Sequence, residues 1–556
     1  MSLANDVYKE FEDVVGKRNI SRDPAVCESY RCYAAQSSAH YGPFDHRTPM
    51  PAAVIMPGST EEVQGVVRIC NKYQVPFKAS TTFWSAMGFI GDDDSVQLDM
   101  KRMKGLEIDG ENQMAVIEPY AIGAVVQVEA MKRGFNLNMA GVGCSSSTLA
   151  GTAGWVAFGP SSLFMGTASE NMLGAEWVLP NGELLRTGSL GSGSGWFCGE
   201  GPGPSTRAIL RGKQGTTGSF GVCTKVAVRL HPWPGPAVIP TSGTIPAYRA
   251  ELPDNFKTYT LCFPDWDAYA EAVNIFHQND VVYLGHRQFN MFGRHIKTAM
   301  IKILNDPNLQ LCDLPSLMED PYIKEQNDSM RIEVSIVLAG MTERDMEFKE
   351  EAVDEVLRRT GGWKNEFMLR DDIMKWTLLY LLRLGHKNLN YTLCSSYEGN
   401  FGMSPNVFVT AKHMEEAHEV KEKYAKEFPY IADTGGDSDM GSIAILGGGG
   451  VTGWEFFTCF DRHDKDSIRG AKEFIDQTQK WMFSKNLGID MGRWNEASRR
   501  EDGYYYTQEQ QNEMFAKLPQ PLAAVYQYKV REVFNPNNLC GSYYRTLDPA
   551  CLENKK

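Results

Sequence analysis

The chain has 556 residues, 42% of them apolar and 22% charged, the balance of a globular protein large enough for two domains. Its 69 acidic and 56 basic side chains leave a net charge of −13, which argues against nucleic acid or an anionic membrane surface as the main partner. The twelve cysteines form no CxxC, so zinc ribbons, dithiol redox motifs and ferredoxin-type clusters have no support and no metal is expected.

In chain order, "AAVIMP" (52–57) reads as a buried strand and "STEEVQGVVRICNKYQ" as the helix after it. Ser59 and Glu62 have capping-box spacing, and Val63, Val66, Val67 and Cys70 fall on one helical face. "VPFKAS", "SVQLDM" and "MAVIEP" read as three further strands, and "AIGAVVQVEAMKRG" as a helix closed by Gly134. A stretch dense in glycine, serine and threonine, "AGVGCSSSTLAGTAGW" (140–155), comes next. "GAEWVLPNGELLRTG" predicts a hairpin turning at Asn181-Gly182, and "FGVCTKVAVRLHPWP" a long alternating strand. From about residue 237 the pattern becomes strand, then helix. It occurs in "KTYTLCFPDWDAYAEAVNIFHQ", in "EVSIVLAGMTERDMEFKEEAVDEVLRRTGG", in "SPNVFVTAKHMEEAHEVKEKYAKEF" and in "GWEFFTCFDRHDKDSIRGAKEFIDQTQKWMFSKNLG". That repetition predicts an α+β unit with helices packed on one antiparallel sheet. The final helix, in "PLAAVYQYKVREVFNPNNLCG", stops at an Asn-Pro-Asn-Asn turn.

Scattered thiols without a signal-peptide pattern suggest a cytoplasmic protein, and no apolar run is long enough to span a membrane. The glycine-rich stretch has a GxG but no GxGxxG opening a helix, so a Rossmann reading is weak. "DTGGDSDMGS" (433–442) lacks the glutamate of a calcium loop and reads as a solvated turn. His463 stands between charges beyond a strand end and reads as surface. Neither HExxH nor a Walker sequence occurs, which leaves metalloprotease and P-loop readings unsupported. "GRWNEASRREDGYYYTQEQ" (492–510) gathers three tyrosines, two adjacent arginines and a tryptophan, which suits a pocket lining or an aromatic core equally.

Five segments carry a resemblance in the right order: "PGSTEEVQGVVRICNKYQVPF", "SSSTLAGTAG", "NMLGAEWVLPNGELLRTG", "RGKQGTTGSFGVCTKVAVRLHP" and "REVFNPNNLCG". Together the chain resembles the vanillyl-alcohol oxidase/para-cresol methylhydroxylase (PCMH-type) family of FAD flavoproteins. "FGMSPNVFVTAKHMEEAHEVKEKY" and "WEFFTCFDRHDKD" are similar to its cap domain. The resemblance implies an arm at 1–49 and a two-subdomain FAD-binding domain at 50–236. It also implies an α+β cap at 237–499 and a segment at 500–556 that returns to the FAD domain.

By the same resemblance, Thr81, Thr82, Phe83, Trp84 and Ser85 form the loop that wraps the FAD diphosphate. The family has glycines there, so this loop is expected to offer its amides from an ordinary backbone conformation. Gly143, Ser147, Thr148, Gly151, Thr152 and Gly154 form the second contact stretch, and Gly221 and Val222 close on the flavin side. Tyr505 and Tyr506 take the place of a tyrosine and an arginine that hold phenols in the family, with Arg499 or Arg500 nearby. Phe89 falls where a phenol-binding member has a tyrosine, and Trp454 and Phe456 complete an apolar wall. Thr167 stands near the family's acidic residue at flavin N5, with Glu170 the nearest carboxylate.

These residues imply an FAD-dependent oxidoreductase that moves a hydride from an alcohol or activated C–H of a small substrate to flavin N5. A 2-hydroxy-acid dehydrogenase is the alternative within the fold, and a flavin carrier with a degenerate site is the alternative outside it. The electron acceptor would be O2 or an electron-transfer protein, and the assembly a homo-oligomer. The first loop has no histidine, and Gly453 and Trp454 occupy the cap positions of the family's linking histidine, so FAD is expected to be non-covalent. Tyr391 and Tyr397 are the remaining candidates for a covalent link.

Overall fold

The computed structural model describes residues 3–31, 48–83, 88–138, 148–154, 157–201, 207–210, 218–244, 247–287, 296–383, 396–427, 431–432, 443–446, 451–460, 464–485, 487, 507–516, 521–541 and 546–553. The first sheet has four strands: β1 (Ile20–Ser21), β2 (Ala53–Ile55), β3 (Phe77–Ser80) and β4 (Val96–Asp99). Their order is β1-β2-β4-β3. β1 runs antiparallel to β2, while β2 and β3 both run parallel to β4. Two helices, α1 (Asn5–Val15) and α2 (Thr60–Tyr73), bury their apolar faces in this core, α1 through Val7, Phe11 and Val15. The start of α2 is fixed locally. Ser59 Oγ accepts the Glu62 amide at 3.2 Å, and the Glu62 carboxylate accepts the Gly58 amide at 2.8 Å. Val63, Val66, Val67 and Cys70 then point together into the core, as their spacing predicts.

The second sheet is antiparallel, with β5 (Leu106–Asp109), β6 (Met114–Ile117), β7 (Met172–Val178), β8 (Leu184–Arg186) and β9 (Val222–Arg229). Its order is β5-β6-β9-β7-β8. The β7–β8 hairpin turns at Asn181-Gly182, with Gly182 at φ +83°. Helix α3 (Gly123–Met131) covers this sheet through Val126 and Ala130.

The later strands lie in two antiparallel sheets, where the repetition alone predicts one. The first has the order β11-β12-β10-β13, from β10 (Phe256–Cys262), β11 (Leu284–His286), β12 (Glu333–Ala339) and β13 (Trp363–Lys364). The other is built on β17 (Val451–Phe460), which pairs with β14 (Ser396–Ser404), β15 (Ile431–Ala432) and β16 (Ile443–Leu446). The sheets meet where β16 comes beside β11. Residues Met131, Met165 and Trp233 share one core with Phe256, Trp376 and Tyr380, so this half of the chain is seated on the second sheet's subdomain.

"NVFVT" is not a strand: Val407–Ala411 form a short helix, with the Asn406 side chain accepting the Val409 amide at 3.0 Å. Val407 and Ala411 bury beside the helix Trp266–Gln278, and that packing outweighs the β preference of two valines and a threonine.

A segment late in the chain comes back to the first sheet. Leu539 and Gly541 exchange backbone hydrogen bonds with Phe77 on β3 at 2.8 Å each, and Phe534 stacks on Phe220 at 5.9 Å.

Candidate cofactor site

Strand β3 delivers its loop at the edge where the two sheets approach. Thr81 and Thr148 stand 67 residues apart in sequence, yet their hydroxyl oxygens lie 2.9 Å apart. Thr148 is held in register by a bridge to Ile122, and the Leu149 amide donates to Ala121 O at 2.9 Å. The two stretches that the sequence assigns to a cofactor therefore meet through their hydroxyls. Thr81, Thr82 and Phe83 are partly exposed at this junction, and Gly151 is exposed on the helix Leu149–Gly154 that follows.

The backbone of the loop is not ordinary. Phe83 sits at φ +54°, a left-handed conformation rare for a residue with a β-carbon. The glycines missing from this loop are replaced by a strained aromatic whose ring is clamped. It packs edge-on against Tyr30 at 5.4 Å and against Phe89 at 5.0 Å. Phe89 is buried, so its ring is part of this packing. Gly88 before it presses on β3: a β-carbon there would stand 2.2 Å from Ser80 Oγ. Gln97 on β4 donates to the carbonyls of Lys78 and Gly88, tying loop to sheet.

Gly221 and Val222 sit differently. Gly221 has φ +111°, and a β-carbon would stand 2.1 Å from Val178 O. Trp177 Nε1 donates to Phe220 O at 3.0 Å across the same turn, and Val222 pairs with Val178 inside the first core. Close backbone packing accounts for the glycine. Thr167 is buried, whereas Glu170 is exposed and closes on its neighbour: its Oε2 accepts the Thr167 amide at 2.6 Å and hydroxyl at 3.0 Å. This loop continues to Asn171, whose side-chain amide donates to Met165 O and Thr167 O. With its NH2 so engaged, Asn171 presents Oδ1 to His231 Nε2 at 2.7 Å, so that ring nitrogen carries the proton. Burial, with the nearby Arg229 charge adding to it, pushes the His231 pKa down to about 4.

Trp84, Ser85, Gly143, Ser147, Tyr505 and Tyr506 lie outside the described residues, as do Tyr391, His463, Arg499, Arg500 and the 433–442 turn. Thr152 and Gly154 are placed by their backbone only, on the helix after Thr148. Trp454 and Phe456 lie on β17, opposite Gly402 and Asn400 of β14, and Tyr397 on β14 lies opposite Cys459. Two residues near the loop escaped the sequence reading. Tyr30 gave no signal, because nothing local links it to Phe83. Lys78 did give one, as a lysine inside an apolar strand: it is 1% exposed, with Nζ 3.4 Å from Gly541 O.

Comparison with known proteins places this geometry. The fold superposes on substrate-bound p-cresol methylhydroxylase with a TM-score of 0.67 at 16% identity, covering 98% of this chain and 97% of that one. Residues 51–188 match the family model described as FAD binding domain. The chain has the fold of p-cresol methylhydroxylase and carries an FAD-binding domain. An uncharacterised FAD-linked oxidoreductase of Mycobacterium tuberculosis is 29% identical over 41% of this flavoprotein and 46% of its own length. The aligned region thus spans about half of that relative. The glycolate oxidase subunit GlcD of Bacillus subtilis is 29% identical over 395 residues, 69% of this chain and 71% of its own.

The residues present suit FAD. The Thr81 and Thr148 hydroxyls now share one hydrogen bond, and either could turn its O–H to a diphosphate instead. A left-handed residue in a turn, such as Phe83, helps successive backbone N–H groups converge on an anion.

Proposed function

We propose that this flavoprotein oxidises a small organic molecule by taking a hydride from a carbon that bears a hydroxyl or is activated as a benzylic position. Bound FAD supplies the redox chemistry, with N5 as the hydride acceptor. In an alcohol the C–H bond breaks, the hydroxyl proton leaves and a carbonyl forms. The two electrons pass on to O2 or to an electron-transfer protein. The observation that carries this reading is the Thr81–Thr148 contact, which joins two separate stretches inside the matched FAD-binding region.

In this reading Thr81, Thr82 and the loop amides hold the diphosphate, while Thr148 and Gly151 support it from the second stretch. Tyr505 and Tyr506 orient the substrate through their hydroxyls, and Trp454 and Phe456 exclude water from it. Phe89 supports the site through Phe83. Thr167 and Glu170 close their loop through their mutual hydrogen bonds. FAD is held without a covalent bond, since Gly453 and Trp454 offer no nucleophile at the cap positions of the linking residue.

A second reading, oxidation of a 2-hydroxy acid, is favoured by the long match to the glycolate oxidase subunit. Anaerobic titration of the holoenzyme separates the two. Flavin bleaching by benzylic or aliphatic alcohols or para-alkylphenols supports the first, and bleaching by 2-hydroxy acids alone supports the second. A flavin that none of them reduces defeats both.

A further inference from the structure

We infer that Tyr30, far from the cofactor loop in sequence, is a positioning residue for the cofactor, acting by holding Phe83 in its left-handed conformation. This rests on the reading of residues 81–85 as the diphosphate loop.

Phe83 at φ +54° cannot be explained by its own sequence, since a residue with a β-carbon prefers a negative φ. Such a conformation persists where the surroundings over-determine it. Here they do so from two sides. Phe89 meets the ring at 5.0 Å, and Tyr30 meets it edge-on at 5.4 Å and 80°. Edge-to-face contact is the favoured aromatic geometry, so the Tyr30 ring holds a defined position rather than merely filling space.

Tyr30 is itself fixed at its far end. Its hydroxyl donates to Asp99 Oδ2 at 2.5 Å and accepts from Lys101 Nζ at 2.9 Å. Burial, with the Asp99 carboxylate beside it, raises the phenol pKa, so the hydroxyl stays protonated and keeps donating. Asp99 ends β4 and is buried, and its other oxygen accepts the Lys101 amide at 3.0 Å. The backbone of Tyr30 ends the helix Pro24–Ser29, which Asp23 caps and buried Cys27 anchors. Sheet and N-terminal arm together therefore set the ring that sets the loop. Removing the ring should let residue 83 relax to negative φ and turn the Thr82 and Phe83 amides away from the diphosphate.

The test is a double-mutant cycle read by FAD affinity, not turnover. Apoprotein of the wild type, Tyr30→Ala, Phe83→Gly and the double variant is titrated with FAD, following the quenching of flavin fluorescence. Glycine adopts φ +54° freely, so it makes the clamp unnecessary. Tyr30→Ala should weaken FAD about tenfold, whereas adding it to Phe83→Gly should change affinity less than about threefold. Equal losses in the two backgrounds, or a Tyr30→Ala protein within about threefold of wild type, would overturn the inference. A wild type that binds no FAD would instead defeat the cofactor reading. If Tyr30→Ala does not accumulate in folded form, Tyr30→Leu, which keeps bulk but no aromatic edge, enters the same cycle with the same outcomes.

Discussion

Gly221→Ala tests whether the turn before β9 is governed by packing. At φ +111° a β-carbon is strained whatever the space, at about 1–2 kcal/mol. The space is also absent: the new atom would stand 2.1 Å from Val178 O and 3.0 Å from both Leu179 Cα and Trp177 Nε1. Two of those three atoms are backbone in the hairpin that β9 pairs with, so relief requires displacing the Val178–Val222 register. Overpacking of that kind adds about 1–3 kcal/mol, giving a loss of about 2–5 kcal/mol in all. Gly134→Ala is the matched control, at φ +79° with nothing within 4 Å of a β-carbon. It should cost about 1 kcal/mol, from the backbone alone. For a cooperative unit of about 150–250 residues, the scale of the FAD-binding region, thermal melting of the apoproteins should place Gly221→Ala roughly 2–16 °C below Gly134→Ala. Midpoints within about 2 °C of each other would refute the packing argument and return Gly221 to a ligand-contact role.

His231 is held neutral by burial, with a pKa lowered from 6.5 to about 4. Its folded value lies below its unfolded one, so the unfolded chain takes the proton first. Stability is complete above about pH 6.5 and falls as pH drops toward 4, by about 3 kcal/mol. In chemical denaturation at pH 7 and pH 4, His231→Gln should lose about that much less than wild type, and equal losses would remove the assignment. If the hydroxyls of Tyr505 and Tyr506 orient substrate as proposed, replacing both with phenylalanine should lower turnover at least about tenfold while bound flavin stays within about twofold. Equal loss of both would make them structural aromatics. Acid precipitation of the holoenzyme should leave the yellow colour in the supernatant, whereas a yellow pellet with a flavin adduct on any peptide would show a covalent link.

What the sequence determined by itself is whatever depends on near neighbours along the chain. The Ser59 cap, the apolar face of α2 and the Asn181-Gly182 turn arise from contacts a few residues apart, which read directly as pattern. The two stretches proposed for the cofactor were picked out by the family resemblance, which itself rests on such local pattern. Their meeting was not, because Thr81 reaches Thr148 only after both sheets have formed. The tertiary structure alone decided the left-handed Phe83, whose strain is offset by rings at positions 30 and 89. It also decided the helical turn at Val407–Ala411, where burial reversed a local strand preference. The seating of residues 539–541 on β3, more than 460 residues away, follows from the same cause. An exposed strand edge must satisfy its backbone N–H and C=O groups, and no local rule says which distant segment will do so.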